Sequence, residues 1–200
     1  MAKTDLGELY LDDLRERMRG VKRLGEGALD QLAEGQWHAA LSPGGNSAAV
    51  LVQHLNGNMH SRWGGLRGGY REGHDGESAE RHRDAEFEES HQPPEALWAL
   101  WEDGWGVFLA ALDALTPADL MRPLSIRGEV QSVLAALQRQ ASHYSGHVYQ
   151  LVLLVKTLRG EGWQTLSIGR GQSAAYTAKV RATMQTAAPS VSTGQGSLES

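Results

Sequence analysis

His143 and His147 stand four residues apart in Gln140-Ala141-Ser142-His143-Tyr144-Ser145-Gly146-His147. On a helix this spacing brings two side chains within about 40° of each other, so both imidazoles project from one face and can chelate one ion. Zinc peptidases use this geometry in His-Glu-x-x-His, where the glutamate is the general base. Here Tyr144, Ser145 and Gly146 fill the interval, so the pattern predicts a metal site and excludes that peptidase chemistry. Taken alone the pair is also compatible with one histidine bonded in a core and the other facing water. Its setting favours the metal, because the pair interrupts an apolar run between Ala135-Ala136-Leu137 and Leu151-Val152-Leu153. An unpartnered ring there would cost about 1–3 kcal/mol, and an ion supplies the missing partner.

His54 lies in a similar run, Ala48-Ala49-Val50-Leu51-Val52-Gln53-His54-Leu55, with Asn58 and Arg62 following at successive turns of the same face. His60 is turned away by about 240° and reads as exposed. His74, His82 and His91 fall in a charged stretch with Asp75, Asp84, Glu86, Glu88 and Glu89; their ordinary reading is as solvated loop side chains. His38 has no visible partner. Trp98, Trp101 and Trp105 are spaced as core residues along one helix face. Each arginine carries the plain alternative of a surface charge.

Four helices are predicted to carry these residues: about Leu6 to Leu32, Ser47 to Arg67, Pro93 to Leu115 and Val130 to Leu158. Ser42-Pro43-Gly44-Gly45 forms a turn, Asn46 or Ser47 can cap the second helix, and Pro93-Pro94 opens the third. Gly20, Gly25 and Gly27 weaken the first helix by up to about 1 kcal/mol each. Tyr70 to Gln92 is polar and aperiodic and reads as a long surface loop, of a length that is often functional. Residues 121–129 read as extended or hairpin-like. The expected organisation is one all-α domain over 1–176 and a largely disordered tail over 177–200.

The chain has 200 residues, a formal net charge of −5 and no cysteine. Disulfides, thiolate ligands and a protein thiol nucleophile are thereby excluded. The 19 basic residues are scattered, which argues against a nucleic-acid surface. No run approaches the roughly 18 apolar residues of a membrane span, and the start lacks a secretory signal; a cytoplasmic location is expected. Imidazole and carboxylate donors suit zinc, nickel, iron or manganese.

The strings Val52-Gln53-His54-Leu55-Asn56-Gly57-Asn58-Met59-His60-Ser61-Arg62-Trp63 and His143-Tyr144-Ser145-Gly146-His147-Val148-Tyr149-Gln150 resemble the DinB/YfiT-like superfamily of four-helix metalloproteins. More narrowly they are similar to a bacterial subgroup of it. Leu115-Thr116-Pro117-Ala118-Asp119-Leu120 and Gly162-Trp163-Gln164-Thr165-Leu166-Ser167-Ile168 agree, and the likeness spans about residues 5 to 176. It implies a four-helix bundle with a long loop between helices 2 and 3. It also implies one divalent ion, foremost zinc or nickel, on His54, His143 and His147, and a homodimer acting on a small-molecule substrate. Relatives include transferases and isomerases that use mycothiol, bacillithiol or glutathione. The leading expectation is therefore a transferase in which a low-molecular-weight thiol, activated at the metal, attacks an electrophile, with Asn58 and Arg62 holding that thiol cofactor and Arg127 and Arg170 as weaker candidates. A hydrolase using metal-bound hydroxide and a non-catalytic, stress-related metal-binding bundle are the alternatives. No residue is assigned as catalytic.

Overall fold

The computed structural model describes residues 5–78 and 81–187. Among them the chain is predominantly helical with a single two-stranded sheet. It divides into two compact units, Met1–Gln164 and Thr165–Ser200.

The first unit is built on four long helices. α1 spans Leu6–Leu29 and starts where the Asp5 carboxylate accepts from the Gly7 N–H at 2.7 Å. Its stripe Leu11, Leu14, Met18, Ala28 and Leu29 is buried, as the spacing predicts, although the helix stops short of Leu32. α2 spans Ala48–Trp63, with the Ser47 hydroxyl capping the Val50 N–H. It is buried on nearly every side, because α3 (Pro94–Ala114) and α4 (Val133–Arg159) both pack on it and the 3₁₀ turn Asp84–Phe87 covers it. α1 in turn packs on α3 and α4. Trp101, Trp105, Phe108 and Tyr144 are fully buried between these helices, while Trp98 sits half-buried at the edge, 6.1 Å from the Trp37 ring.

Between α3 and α4 the chain forms a hairpin, β1 (Pro123–Ile126) and β2 (Glu129–Ser132), paired antiparallel with Ile126 opposite Glu129. The hairpin runs three residues beyond its predicted end. α4 therefore begins at Val133, where the Ser132 hydroxyl caps the Ala135 N–H at 3.1 Å. A serine cap outcompetes the intrinsic helicity of Val130, Gln131 and Ser132.

The segment expected as a solvated loop, Tyr70 to Gln92, is instead fastened to the helices and the sheet. Gly76 N–H donates to the Ser125 carbonyl at 2.7 Å, a ring nitrogen of His74 meets the Arg62 carbonyl at 3.0 Å, and the Ser78 N–H reaches the Ser61 hydroxyl at 3.0 Å. His74 is buried. Glu77, Arg81 and Glu86 find partners in the protein, while Arg71, Glu72, Asp84 and Glu88 stay exposed as the sequence predicts.

In the second unit, α5 occupies Ser173–Ala187. Its alanines, Ala174, Ala175, Ala178 and Ala182, favour a helix, which runs from the end of the expected domain into the 177–200 segment expected as tail; residues 188–200 lie outside the described residues. Among the described residues no helix is long and apolar enough to cross a membrane.

Gly25 and Gly20 differ in a way the sequence does not reveal. A Cβ on Gly25 would stand 2.3 Å from the Trp101 ring, whereas one on Gly20 would meet only the tip of Arg23 at 3.9 Å. Gly20→Ala should stabilise the protein by up to about 1 kcal/mol through helix propensity. Gly25→Ala should destabilise it by about 1–3 kcal/mol through overpacking. Urea denaturation of the two variants checks the opposite signs.

Candidate metal centre

α2 delivers His54 and α4 delivers His143 and His147, and the three rings meet. Their centroids lie 5.3 Å (His54–His143), 4.9 Å (His54–His147) and 4.5 Å (His143–His147) apart, each pair close to perpendicular. One nitrogen from each ring falls within 4.8 Å of the others, so the trio could hold a metal ion. His54 Nε2 and His143 Nε2 are 3.3 Å apart. Two nitrogens bound tetrahedrally at about 2.0–2.1 Å from zinc would be separated by roughly 3.3–3.4 Å.

The outward nitrogens fix how the rings present themselves. His54 Nδ1–H donates to Glu86 Oε2 at 2.9 Å, because a carboxylate can only accept. His147 Nδ1–H donates to Gln150 Oε1 at 3.1 Å. Each ring thereby turns an unprotonated Nε2 toward the centre, the tautomer that binds metal. His143 is held neutral by its surroundings. Burial, then the neighbouring His147, His54, Arg62 and Arg81, push its pKa down to about 3. Burial and His54 also lower His147, against a smaller opposing pull from Gln150.

Glu86 is the group that sequence reasoning missed. It stands in the short turn Asp84–Phe87, and its carboxylate accepts from Arg81 Nε at 2.6 Å and Nη2 at 2.7 Å as well as from His54. Burial opposes its ionisation, but the bonds from Arg81 and His54 outweigh burial and hold it below the usual carboxylate range. The turn can approach α2 this closely because position 57 is glycine: a Cβ there would lie 2.3 Å from Glu86 Oε1. The next residue, Phe87, packs its ring 4.6 Å from that of His54. Glu86 and Arg81 look no different in sequence from the other charged residues of their stretch; only the fold selects them.

Asn58 and Arg62 line the same cavity as the three histidines, a space of about 430 Å³. Both are buried, so for Arg62 the surface-charge alternative falls. Its Nη1 donates to the Gly76 carbonyl and the Glu77 carboxylate. Asn58 Oδ1 accepts from the Tyr144 hydroxyl at 3.1 Å, and that hydroxyl accepts from the Trp63 indole at 2.8 Å. Arg127 reaches the cavity from the hairpin turn, and Gln140 and Arg139 from the first half of α4. Gln140 lies three residues before His143 on one helix face, a signal the sequence did carry. Arg170 belongs to the second unit. His60 is exposed and paired with Asp103 at 2.6 Å, outside the trio, and His82 and His91 are exposed. His38 does have partners: its ring nitrogens meet Glu89 Oε2 at 2.8 Å and the Gln92 carbonyl at 3.0 Å.

A family model described as "Protein of unknown function (DUF1572)" matches residues 5–172. No curated protein and no solved structure matches the chain.

This geometry sets two expected outcomes. Glu86→Gln should weaken metal affinity about 10–100-fold while all three rings remain, as loss of an outer-shell carboxylate does; isothermal titration with zinc reads it. Protons compete with metal for imidazole below about pH 6.5, but His143 stays neutral down to about pH 3. Between about pH 4 and 6 the logarithm of apparent affinity should therefore change by at most about two per pH unit, not the three expected of three ordinary imidazoles. A slope of three would show that His143 is not held neutral.

Proposed function

The chain belongs to the DUF1572 family, and on that footing we propose that it is a metal-dependent transferase of the DinB/YfiT-like kind that uses a low-molecular-weight thiol. The observation that carries the reading is the gathering of three imidazole nitrogens within 4.8 Å of one another on the wall of a cavity of about 430 Å³. Three neutral nitrogen donors from one side leave room for further ligands, as in catalytic rather than structural sites. The fold that goes with the reading is a four-helix bundle, supported by the way α1 packs on α3 and α4 and α2 on both.

A divalent ion such as zinc or nickel would supply Lewis acidity, making a coordinated thiol or water a nucleophile near neutral pH. The protein's own groups do the rest. His54, His143 and His147 would hold the ion, Glu86 fixes the His54 tautomer, and Phe87 covers the His54 ring. Asn58 and Arg62 contribute polar groups to the wall where the thiol cofactor would lie. In the transfer the thiol gives up its proton, its sulfur forms a bond to the electrophilic carbon, and the leaving group departs with the bonding pair. A homodimer belongs to the same proposal; the exposed Leu6 and Met121, on a groove of about 800 Å³, offer it an apolar surface.

Zinc- or nickel-loaded protein, incubated with chlorodinitrobenzene or a bimane electrophile, should show turnover that depends on added glutathione, bacillithiol or mycothiol. Thiol-independent cleavage of an activated ester would favour a hydrolase, and no turnover with any thiol would overturn the transferase. His143→Ala should abolish stoichiometric metal and His60→Ala should leave it intact, by elemental analysis. Equal loss from both would show the ligand set to be wrong.

A further inference from the structure

We propose that the cavity beside the three histidines takes a small organic anion, a molecule with a carboxylate or phosphate group, whose acidic group lies against Arg127 and Arg139. The assignment rests on the reading of this cavity as the ligand site and gives it a substrate class.

Charge is the first observation. Five arginines line the cavity: Arg62, Arg81, Arg83, Arg127 and Arg139. The two half-buried carboxylates in contact with them are largely taken up by the buried pair, Glu77 by Arg62 and Glu86 by Arg81. The three arginines nearer solvent are poorly matched. Arg139 stands 3.7 Å from Glu129, and Arg83 3.7 Å from Asp84, with both carboxylates mostly or fully exposed. Arg127 shares Glu77 with Arg62 at 3.2 Å. Solvated pairs of this kind contribute little and leave the guanidinium groups open to a better acceptor. Guanidinium forks match carboxylate and phosphate oxygens in shape.

Backbone conformation is the second, independent observation. Arg127 and Gly128 form the two-residue turn between β1 and β2, with φ of +58° and +77°. Turns of this kind favour asparagine, aspartate or glycine at both positions, since a longer side chain is disfavoured in the left-handed region. An arginine standing where asparagine would sit more easily, and lining a cationic cavity, marks a residue placed for a ligand rather than for the turn.

Size is the third observation. A volume of about 430 Å³ accommodates such a molecule in addition to an ion.

The test is calorimetric titration of the full chain, stripped of metal by chelation, with L-malate, with inorganic phosphate, and with the uncharged diamide of malate. One-to-one binding of malate or phosphate is expected, whichever is tighter naming the acid, with no binding of the diamide. Arg139→Gln and Arg127→Asn should each weaken binding at least tenfold. Arg127→Asn should also leave the thermal midpoint unchanged or raised, because asparagine suits the turn; a merely structural arginine would lower it. No binding of either anion at millimolar concentration, equal binding of the diamide, or wild-type affinity in both variants would overturn the proposal. Zinc uptake is measured separately. Zinc without anion binding sinks this inference alone, and anion binding without zinc sinks the metal reading and leaves this one standing.

Discussion

The Glu86 carboxylate lies between the ring of His54 and the guanidinium of Arg81, and the architecture around the three histidines depends on that junction. It does two things at once. It sets the tautomer that turns His54 Nε2 toward its partners on α4, and it ties the charged stretch after α2 down over the helix that carries His54. Leaving Glu86 or Arg81 without the other would strand a charge in a place water reaches poorly, at a cost of about 3–5 kcal/mol. The segment therefore does not behave as a free loop: its position and the orientation of a candidate ligand are one fact.

The same network explains how a cluster of basic groups can be receptive to a cation. Arg62 and Arg81 approach the trio closely enough to oppose protonation of His143, yet each is answered by its own carboxylate, Glu77 and Glu86. The arginines thus help keep imidazole lone pairs available, while their charge is offset locally. Farther out, where carboxylates are exposed or shared, the balance turns positive. The cavity joins imidazole nitrogen donors to guanidinium groups whose carboxylates are exposed or shared. Such a lining suits a ligand that coordinates at one end and is acidic at the other.

Much of this architecture is legible in the sequence, and the part that is not has a physical reason. Helical periodicity locates α1 to α4 within a few residues, because each has an apolar stripe and a capping or breaking residue near its ends. The four-residue spacing of His143 and His147 puts them on one face, and the apolar setting of His54 marks it as buried. Periodicity cannot supply the pairing of charges across a turn. Glu86 and Arg81 sit among Glu77, Arg83, Asp84, Glu88 and Glu89, and nothing local separates the pair that is buried from the others. The role of Gly57 is equally silent: in sequence it is a weak point of a helix, in space it is the gap that admits Glu86. The start of α4 differs from its periodicity because the hairpin takes Val130 to Ser132 into pairing, a tertiary choice that overrides local preference.

His54 meets His143 and His147 across nearly ninety residues of chain, and the three could hold one metal ion. X-ray absorption at the zinc edge of the loaded protein tests it most directly. Three imidazole nitrogens at about 2.0–2.1 Å, falling to two when His54 is replaced by alanine, is the predicted result. A shell of oxygens alone, or one unchanged by that replacement, would contradict it.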